Sequence, residues 1–345
     1  MSNINIFSAD FETTTIEPVK VWAWGIENIE TNEYYKGESI EEFINYCKHL
    51  PNGIIYFHNL KYDCNFIIHY LLSHNYTWQR DSKMCSFNDF TTLISDKGRF
   101  YSVTVYFNKS HGHTNKITFY DSLNIVNMTI EKIAKNFKLP VQKGNIDYAR
   151  HNIECEVTKT EWEYLYNDVH ILALILKVLY DLKMDKMTIG SCALHDYKQT
   201  IGKKNFSRYF PTLTLETDSH IRQSYKGGFT FVNPDNQNKI ISNGMVFDVN
   251  SLYPYVMYEK NLPFGTPLYF KGKYKENKTY NLYIQNLRCN FKLKKNHIPT
   301  IQLKNTPFFK ETEYLNSSYN DKLKRDELIY LSLTNVDLKL FFRTL

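Results

Sequence analysis

Two hydrophobic periodicities take turns along roughly the first 185 residues, and this alternation limits the fold more than any other feature. Residues 4–9, 21–26 and 53–58 read as strands, and between and after them come stretches at helical spacing. Several helices declare their starts. Ser39-Ile-Glu-Glu42 is a capping box that opens a helix to about residue 50, residues 66–72 form the apolar part of a second, and residues 129–137 form a third. Thr158-Lys-Thr-Glu161 opens the longest, in which Leu165, Val169, Leu172, Ile175, Leu176 and Leu179 share one stripe to about residue 182. Between residues 91 and 121 the pattern turns β-rich, broken by a polar loop at 111–115. Together these signals predict a mixed α/β sheet domain, with a second domain beginning near residue 190.

Composition narrows the functional classes. A chain of 345 residues with only 13 Gly and 10 Pro has length for about two domains and is not collagen-like or low-complexity. With 43% hydrophobic residues, 27 Tyr and 23 Phe, it is not generally disordered. No apolar run approaches the ~18 residues of a membrane span, and the first residues show no basic-then-apolar secretory pattern. The expectation is therefore a cytoplasmic protein with no membrane partner, in host cytoplasm if the chain is viral. Cys47, Cys64, Cys85, Cys155, Cys192 and Cys289 are scattered without a CxxC pair, and predict reduced thiols instead of a zinc site or disulfide framework. A net charge of +6 suits a polyanionic partner.

Four carboxylates carry the chemical signal. Asp10 and Glu12 lie two apart on an extended run, so both side chains face one way and can share a cation. The apolar run before them puts the pair at the end of a buried strand, where crevices form in α/β sheets. Asp63 follows the strand at 53–58, and Asp168 stands one helical turn after Tyr164, so carboxylate and phenol share a face. Taken singly, each acid could be a solvated surface group. Asp10-Phe-Glu12, Asn59-x-x-x-Asp63 and Tyr164-x-x-x-Asp168 resemble, in this order, the three exonuclease motifs of proofreading 3′–5′ exonucleases. The resemblance implies a ribonuclease H-like domain in which Asp10, Glu12, Asp63 and Asp168 hold two Mg²⁺ or Mn²⁺ ions while Tyr164 orients the attacking water.

The similarity extends to the protein-primed family B DNA polymerases, close to those of small podophages with linear genomes. By that resemblance Thr13, His58, Asn59, Tyr62, Phe66, Ser122, Leu123 and Tyr148 grip a single-stranded 3′ end, and Lys143 assists the exonuclease reaction. The phenyl faces of Tyr62, Phe66 and Tyr148 also suit unstacked bases on chemical grounds. Tyr225-Lys-Gly227-Gly228 resembles the element that touches DNA between the exonuclease and polymerase domains. Residues 229–232 read as a strand, and Met245-Val-Phe-Asp-Val-Asn-Ser-Leu-Tyr-Pro254 reads as a buried strand, a turn and a helix start, and resembles motif A of the palm. There Asp248 and Val249 would bind metal and incoming nucleotide, and Tyr253 would pack under the sugar.

The implied organisation is an exonuclease domain over residues 1–188, a linker and palm start over 189–260, and part of a terminal-protein-binding insertion over 261–345 that includes Thr334-Asn-Val-Asp-Leu338. Palm motifs B and C are missing. Glu216-Thr-Asp-Ser219 precedes motif A and lacks bracketing strands, and Asn316-Ser-Ser-Tyr319 has Thr312 where the triphosphate-binding lysine belongs. The expectation is an incomplete palm that degrades single-stranded DNA but does not extend a primer. Primer–template DNA, dNTPs, a terminal protein and a second chain with motifs B and C are the implied partners, with further metal ions at the polymerase site once completed. Two alternatives remain: a stand-alone exonuclease, and a non-catalytic subunit that binds DNA ends or a terminal protein.

Overall fold

Strand β1 (Asn5–Thr13) sorts its side chains by parity. Phe7, Ala9 and Phe11 enter one core, Ile6 enters another, and the Ser8 hydroxyl on that second face donates to the Val169 carbonyl at 2.9 Å. Asp10 and Glu12 follow Ser8 in the same parity. The computed structural model describes residues 5–108, 114–272, 277–303, 313–320 and 323–345. The chain divides into two units, Met1–Thr200 and Ile201–Leu345.

The first unit is built on an eight-stranded sheet of order β3-β2-β1-β4-β8-β7-β6-β5. Its other strands are β2 (Val21–Asn28), β3 (Tyr34–Gly37), β4 (Gly53–Phe57), β5 (Thr77–Trp78), β6 (Asp89–Ile94), β7 (Phe100–Asn108) and β8 (Thr114–Asp121). The β1–β4 and β4–β8 pairs are parallel, whereas β1–β2 and β7–β8 are antiparallel. One face is packed by α1 (Ile40–His49) and α2 (Leu60–Ser73), whose Phe43, Ile44, Cys64 and Ile67 join Phe57 and Phe119 in a dry core. The other face is covered by α3 (Ile130–Asn136) and α4 (Lys159–Asp181), which contribute Ile133, Ile171, Leu172, Ile175 and Leu176. A further helix, α5 (Ile189–Ile201), follows.

Most predicted boundaries hold. Ser39 caps α1 through its side chain, although the Glu42 carboxylate accepts from Glu38 N–H and not from Ser39, so the box is only half formed. The Thr158–Glu161 box is reciprocal. Helix α2 starts at Leu60, well before the apolar residues 66–72, which places Asp63 in its first turn. Of the polar loop expected at 111–115, residues 114 and 115 belong to β8, with Asn115 fully buried and its amide donating to the Leu50 carbonyl at 2.5 Å, while residues 109–113 lie outside the described residues. A buried amide that satisfies a carbonyl mimics loop polarity in sequence.

The second unit contains α6 (Lys203–Tyr209), α7 (Leu215–Gln223), α8 (Leu252–Glu259) and a small core of Phe291, Ile301, Leu315, Leu331, Leu333 and Phe341. Two antiparallel strands, β9 (Ile284–Cys289) and β14 (Ile329–Thr334), and a closing helix α9 (Asn335–Thr344) frame that core. Three- and two-residue strands complete the unit as β10 (Ile301–Leu303) with β11 (Glu313–Leu315) and β12 (Tyr319–Asn320) with β13 (Arg325–Asp326). The strands expected at 229–232 and 245–249 do not form, and the second is not buried: Val246 is 99% and Phe247 82% exposed. Alternation specifies a face but no partner, and neither run finds a hydrogen-bonding strand among the described residues. Glu216-Thr-Asp-Ser219 lies on α7, not between strands.

Candidate metal and nucleic-acid site

The central strand β1 and the long helix α4 bring acids far apart in sequence to one point. Ligand oxygens of Asp10, Glu12 and Asp168 all lie within 4.8 Å of one another. The Ser8–Val169 bond sets this register, because Val169 directly follows Asp168 on α4. Lys143 Nζ donates to Asp168 Oδ2 at 2.5 Å. Asp63, 3% exposed in the first turn of α2, stays outside the three-acid group yet near enough for the charge of Asp10 to act on it. The Tyr164 hydroxyl meets that of Tyr148 at 2.8 Å, and Lys143 Nζ stands 5.2 Å from the Tyr164 ring centre.

The electrostatics call for a cation. Burial, then the charge of Asp168, pushes the Asp10 carboxyl up to about 7. Burial, then Asp10 and Asp168, lifts Glu12 to about 9. Burial raises Asp168 despite the opposing Lys143, and raises Asp63 further. Burial would lower the Lys143 ammonium, but Asp168 outweighs it and keeps the ammonium charged. One lysine does not balance this acidity. Asp168 Oδ1 is buried without a hydrogen-bond partner, an orphaned oxygen of the kind a hard divalent cation takes up. All-oxygen donors fit Mg²⁺ or Mn²⁺ and do not suggest a soft metal.

A cleft of about 880 Å³ opens over the acids, walled by His58, Asn59, Leu123, Met128 and Lys143. His58 Nε2 donates to the Met128 carbonyl at 2.6 Å, its Nδ1 lies 2.9 Å from Ser122 Oγ, and burial lowers its pKa. Asn59 holds φ +76°, the left-handed turn from β4 into α2, a conformation that Asn tolerates better than most residues. Just past Glu12 on the same strand, Thr13 Oγ1 meets the Tyr62 hydroxyl at 2.6 Å, and Tyr62 packs edge-on to Phe66. Tyr62 and Tyr148 are each nearly half exposed. Asp10, His58, Asn59, Leu123, Lys143 and Asp168 therefore line one cleft, Glu12 joins Asp10 and Asp168, Tyr148 joins Tyr164, and Thr13, Tyr62 and Phe66 form a group of their own.

Sequence reasoning missed Asp121. Its buried Oδ1 accepts the N–H groups of both Asn59, at 3.1 Å, and Leu123, at 3.0 Å, and so joins the two walls of the cleft. Its signal was an acid at a strand end followed by Ser122, the same context that singled out Asp10. Asn152 was missed as well: its side chain binds Thr15 N–H at 2.8 Å and Thr15 Oγ1 at 2.7 Å.

In the second unit Tyr225, Asp248, Val249 and Tyr253 are all exposed. No acidic group of three forms around Asp248 among the described residues. Ser251, at φ +52°, turns the chain into α8, which carries Tyr253. Neither Gly227 nor Gly228 has a positive φ, and a Cβ on Gly228 would meet only Tyr253 Oη at 3.9 Å. A side chain at Gly228 would thus find only ordinary van der Waals contact.

The mixed sheet and the acid triad make a class of α/β domain with a cation-binding site, and comparison with known proteins supplies the family. Residues 44–161 and 154–340 match the family described as DNA polymerase type B, organellar and viral, and the chain belongs to it. The DNA polymerases of Bacillus phages phi29 and B103 are each 42% identical over 97% of this chain, and that of Streptococcus phage Cp-1 is 32% identical over 98%. The chain spans 57% of the length of the two Bacillus phage relatives. Phi29 DNA polymerase complexed with primer–template DNA and incoming nucleotide substrates superposes at a TM-score of 0.89 with 39% identity, covering 100% of this chain and 59% of that one. The same enzyme complexed with single-stranded DNA superposes at 0.83 with 39% identity, covering 99% of this chain and 58% of that one.

Proposed function

We propose that the first unit is a 3′–5′ exonuclease acting on single-stranded DNA ends with Mg²⁺ or Mn²⁺, as the N-terminal part of a protein-primed family B DNA polymerase that replicates viral DNA in the host cytoplasm. The observation that carries this reading is the group of Asp10, Glu12 and Asp168, of which Asp10 and Asp168 line one cleft together with His58, Asn59 and Lys143. Two divalent cations bound there would neutralise the attacking and leaving oxygens of phosphodiester hydrolysis. Asp10, Glu12 and Asp168, with Asp63 beside them, are the residues to hold them. Lys143, kept protonated by Asp168, offers positive charge to the scissile phosphate. Tyr164 is fixed by Tyr148 to orient the water. Tyr62, Phe66 and Tyr148 stack the terminal bases at about 1–3 kcal/mol each, while Thr13, His58, Asn59, Ser122 and Leu123 hold the strand against those faces.

In the second unit Asp248 and Val249 are assigned to the first polymerase metal and nucleotide contacts, Tyr253 to the sugar, and Tyr225, Gly227 and Gly228 to DNA. The exposure of residues 245–249 supports a palm completed by motifs B and C, from the rest of the polymerase or a second chain, before dNTPs and primer–template are used. Residues 1–188, 189–260 and 261–345 are assigned to exonuclease, palm start and terminal-protein-binding region. The decisive experiment incubates the purified chain with 5′-labelled single-stranded DNA and Mg²⁺ or Mn²⁺. Stepwise shortening from the 3′ end is expected, reduced by on the order of 100-fold or more in Asp10→Ala and Asp168→Ala. Intact DNA with either metal overturns the proposal.

A further inference from the structure

A second group of reactive side chains gathers at the start of α4. Glu161, 4% exposed, accepts from Thr158 N–H and Oγ1 at 2.8 Å, from Arg150 Nη1 at 2.6 Å and from His151 Nε2 at 3.1 Å. His151 is 7% exposed and lies face to face on the Trp22 indole, 3.7 Å between centroids and 6° between planes. With Nε2–H committed to the carboxylate, Nδ1 is an acceptor, and Cys155 Sγ stands 3.5 Å from it and 3.6 Å from the Arg150 carbonyl oxygen, the thiol's other acceptor. Arg150 Nη1 also lies 3.2 Å from Nε2, but as a pure donor it serves the other carboxylate oxygen. The result is thiol, imidazole and carboxylate in line, each held by the next, which is the arrangement that activates a nucleophile.

We propose that Cys155 is a modification site for low-molecular-weight disulfides, with His151 as its base and Glu161 as the group that orients the base. The Cys155 proton passes to His151 Nδ1, and the thiolate attacks one sulfur of the disulfide. A new S–S bond forms as the old one breaks, and the leaving thiolate takes the proton back from Nδ1. Cys155 is oxidised to the mixed disulfide, while half of the reagent is reduced to thiol.

The other thiols lack this setting. Cys47, Cys64 and Cys192 are buried. Burial, then Asp89 and Asp81, pushes Cys85 up, and burial pushes up Cys289. Cys155 is only partly buried, so a reagent can reach it.

The position couples to the cleft. The segment just before Cys155 holds Tyr148, bonded to Tyr164, and Asn152, bonded to Thr15 just beyond β1. A glutathionyl group on Cys155 displaces His151 from Glu161 and loosens this strap. Loss of exonuclease activity rests on the function proposed above, whereas the labelling of Cys155 does not.

The test treats the full chain with glutathione disulfide and maps each modified cysteine by peptide mass against time. Cys155 is expected to react at least about 10-fold faster than Cys85 or Cys289, and faster in the folded chain than in urea. His151→Gln is expected to abolish that advantage. Equal rates at the three sites, or a Cys155 rate in the folded chain no higher than in urea, overturn the proposal even if the His151 variant fails to fold. In a second arm the modified chain loses single-stranded DNA degradation and recovers it with dithiothreitol, while Cys155→Ser keeps its activity throughout. Selective labelling with no change in degradation overturns the coupling alone. Absence of degradation before treatment instead falls on the proposed function.

Discussion

At the scale of single residues the site is an electrostatic debt held by burial. Because Asp10 rises to about 7 and Glu12 to about 9, the metal-free folded protein binds more protons than the unfolded chain between roughly pH 4 and 9. Its stability should fall as pH rises through that interval. A divalent cation that binds only the folded state should recover most at the alkaline end. Melting temperatures at pH 5 and 8.5, each with EDTA or Mg²⁺, check this, and an equal Mg²⁺ effect at both values contradicts it. Glu161 has the opposite sign. Burial alone would raise it, but hydrogen bonds from Thr158, Arg150 and His151 bring it down to about 2. Its contribution is complete above about pH 4.5 and lost as pH falls toward 2. Acid unfolding followed by circular dichroism should show wild type losing this margin across that window while Glu161→Gln, already lacking it, changes less.

At the scale of elements, the caps and ties around α4 decide how well its two site residues are placed. Thr158→Ala removes half of the reciprocal cap and should cost about 1 kcal/mol, read as a lower urea midpoint with an unchanged slope. Asn115→Ala, which orphans the Leu50 carbonyl, should cost about 1–3 kcal/mol in the same assay. Legibility in the sequence followed the range of the physics. The stripe of α4, its cap and the parity of Asp10 and Glu12 are local, and the chain displays them as periodicity. Asp121 reaching Asn59 and Asn152 reaching Thr15 are long-range bonds of ordinary polar residues, with no period to betray them. The run at 245–249 failed for a related reason: a strand is a relation between segments, and its composition records only half of that relation.

At the scale of the whole molecule, the two units differ in how much of their apolar surface they cover. The first encloses aromatic and aliphatic cores on both faces of its sheet, whereas the second leaves Val246, Phe247 and Tyr258 more than four-fifths exposed. Residues 1–200 expressed alone should therefore unfold cooperatively and bind little of an apolar dye, while the full chain should bind it strongly. Equal dye uptake by the two would remove the basis for assigning residues 245–249 to an unfinished palm. Among the described residues no helix is long and apolar enough to cross a membrane, so a bilayer-spanning helix does not account for that exposure. The position of β1 also bears on how the acid site ages. Flanked by β2 and β4 and tied by Ser8 to α4, the strand that carries Asp10 has no route to partial release. The acid group can be dismantled only by breaking the domain, so its half-life on heating should equal the lifetime of the folded domain itself.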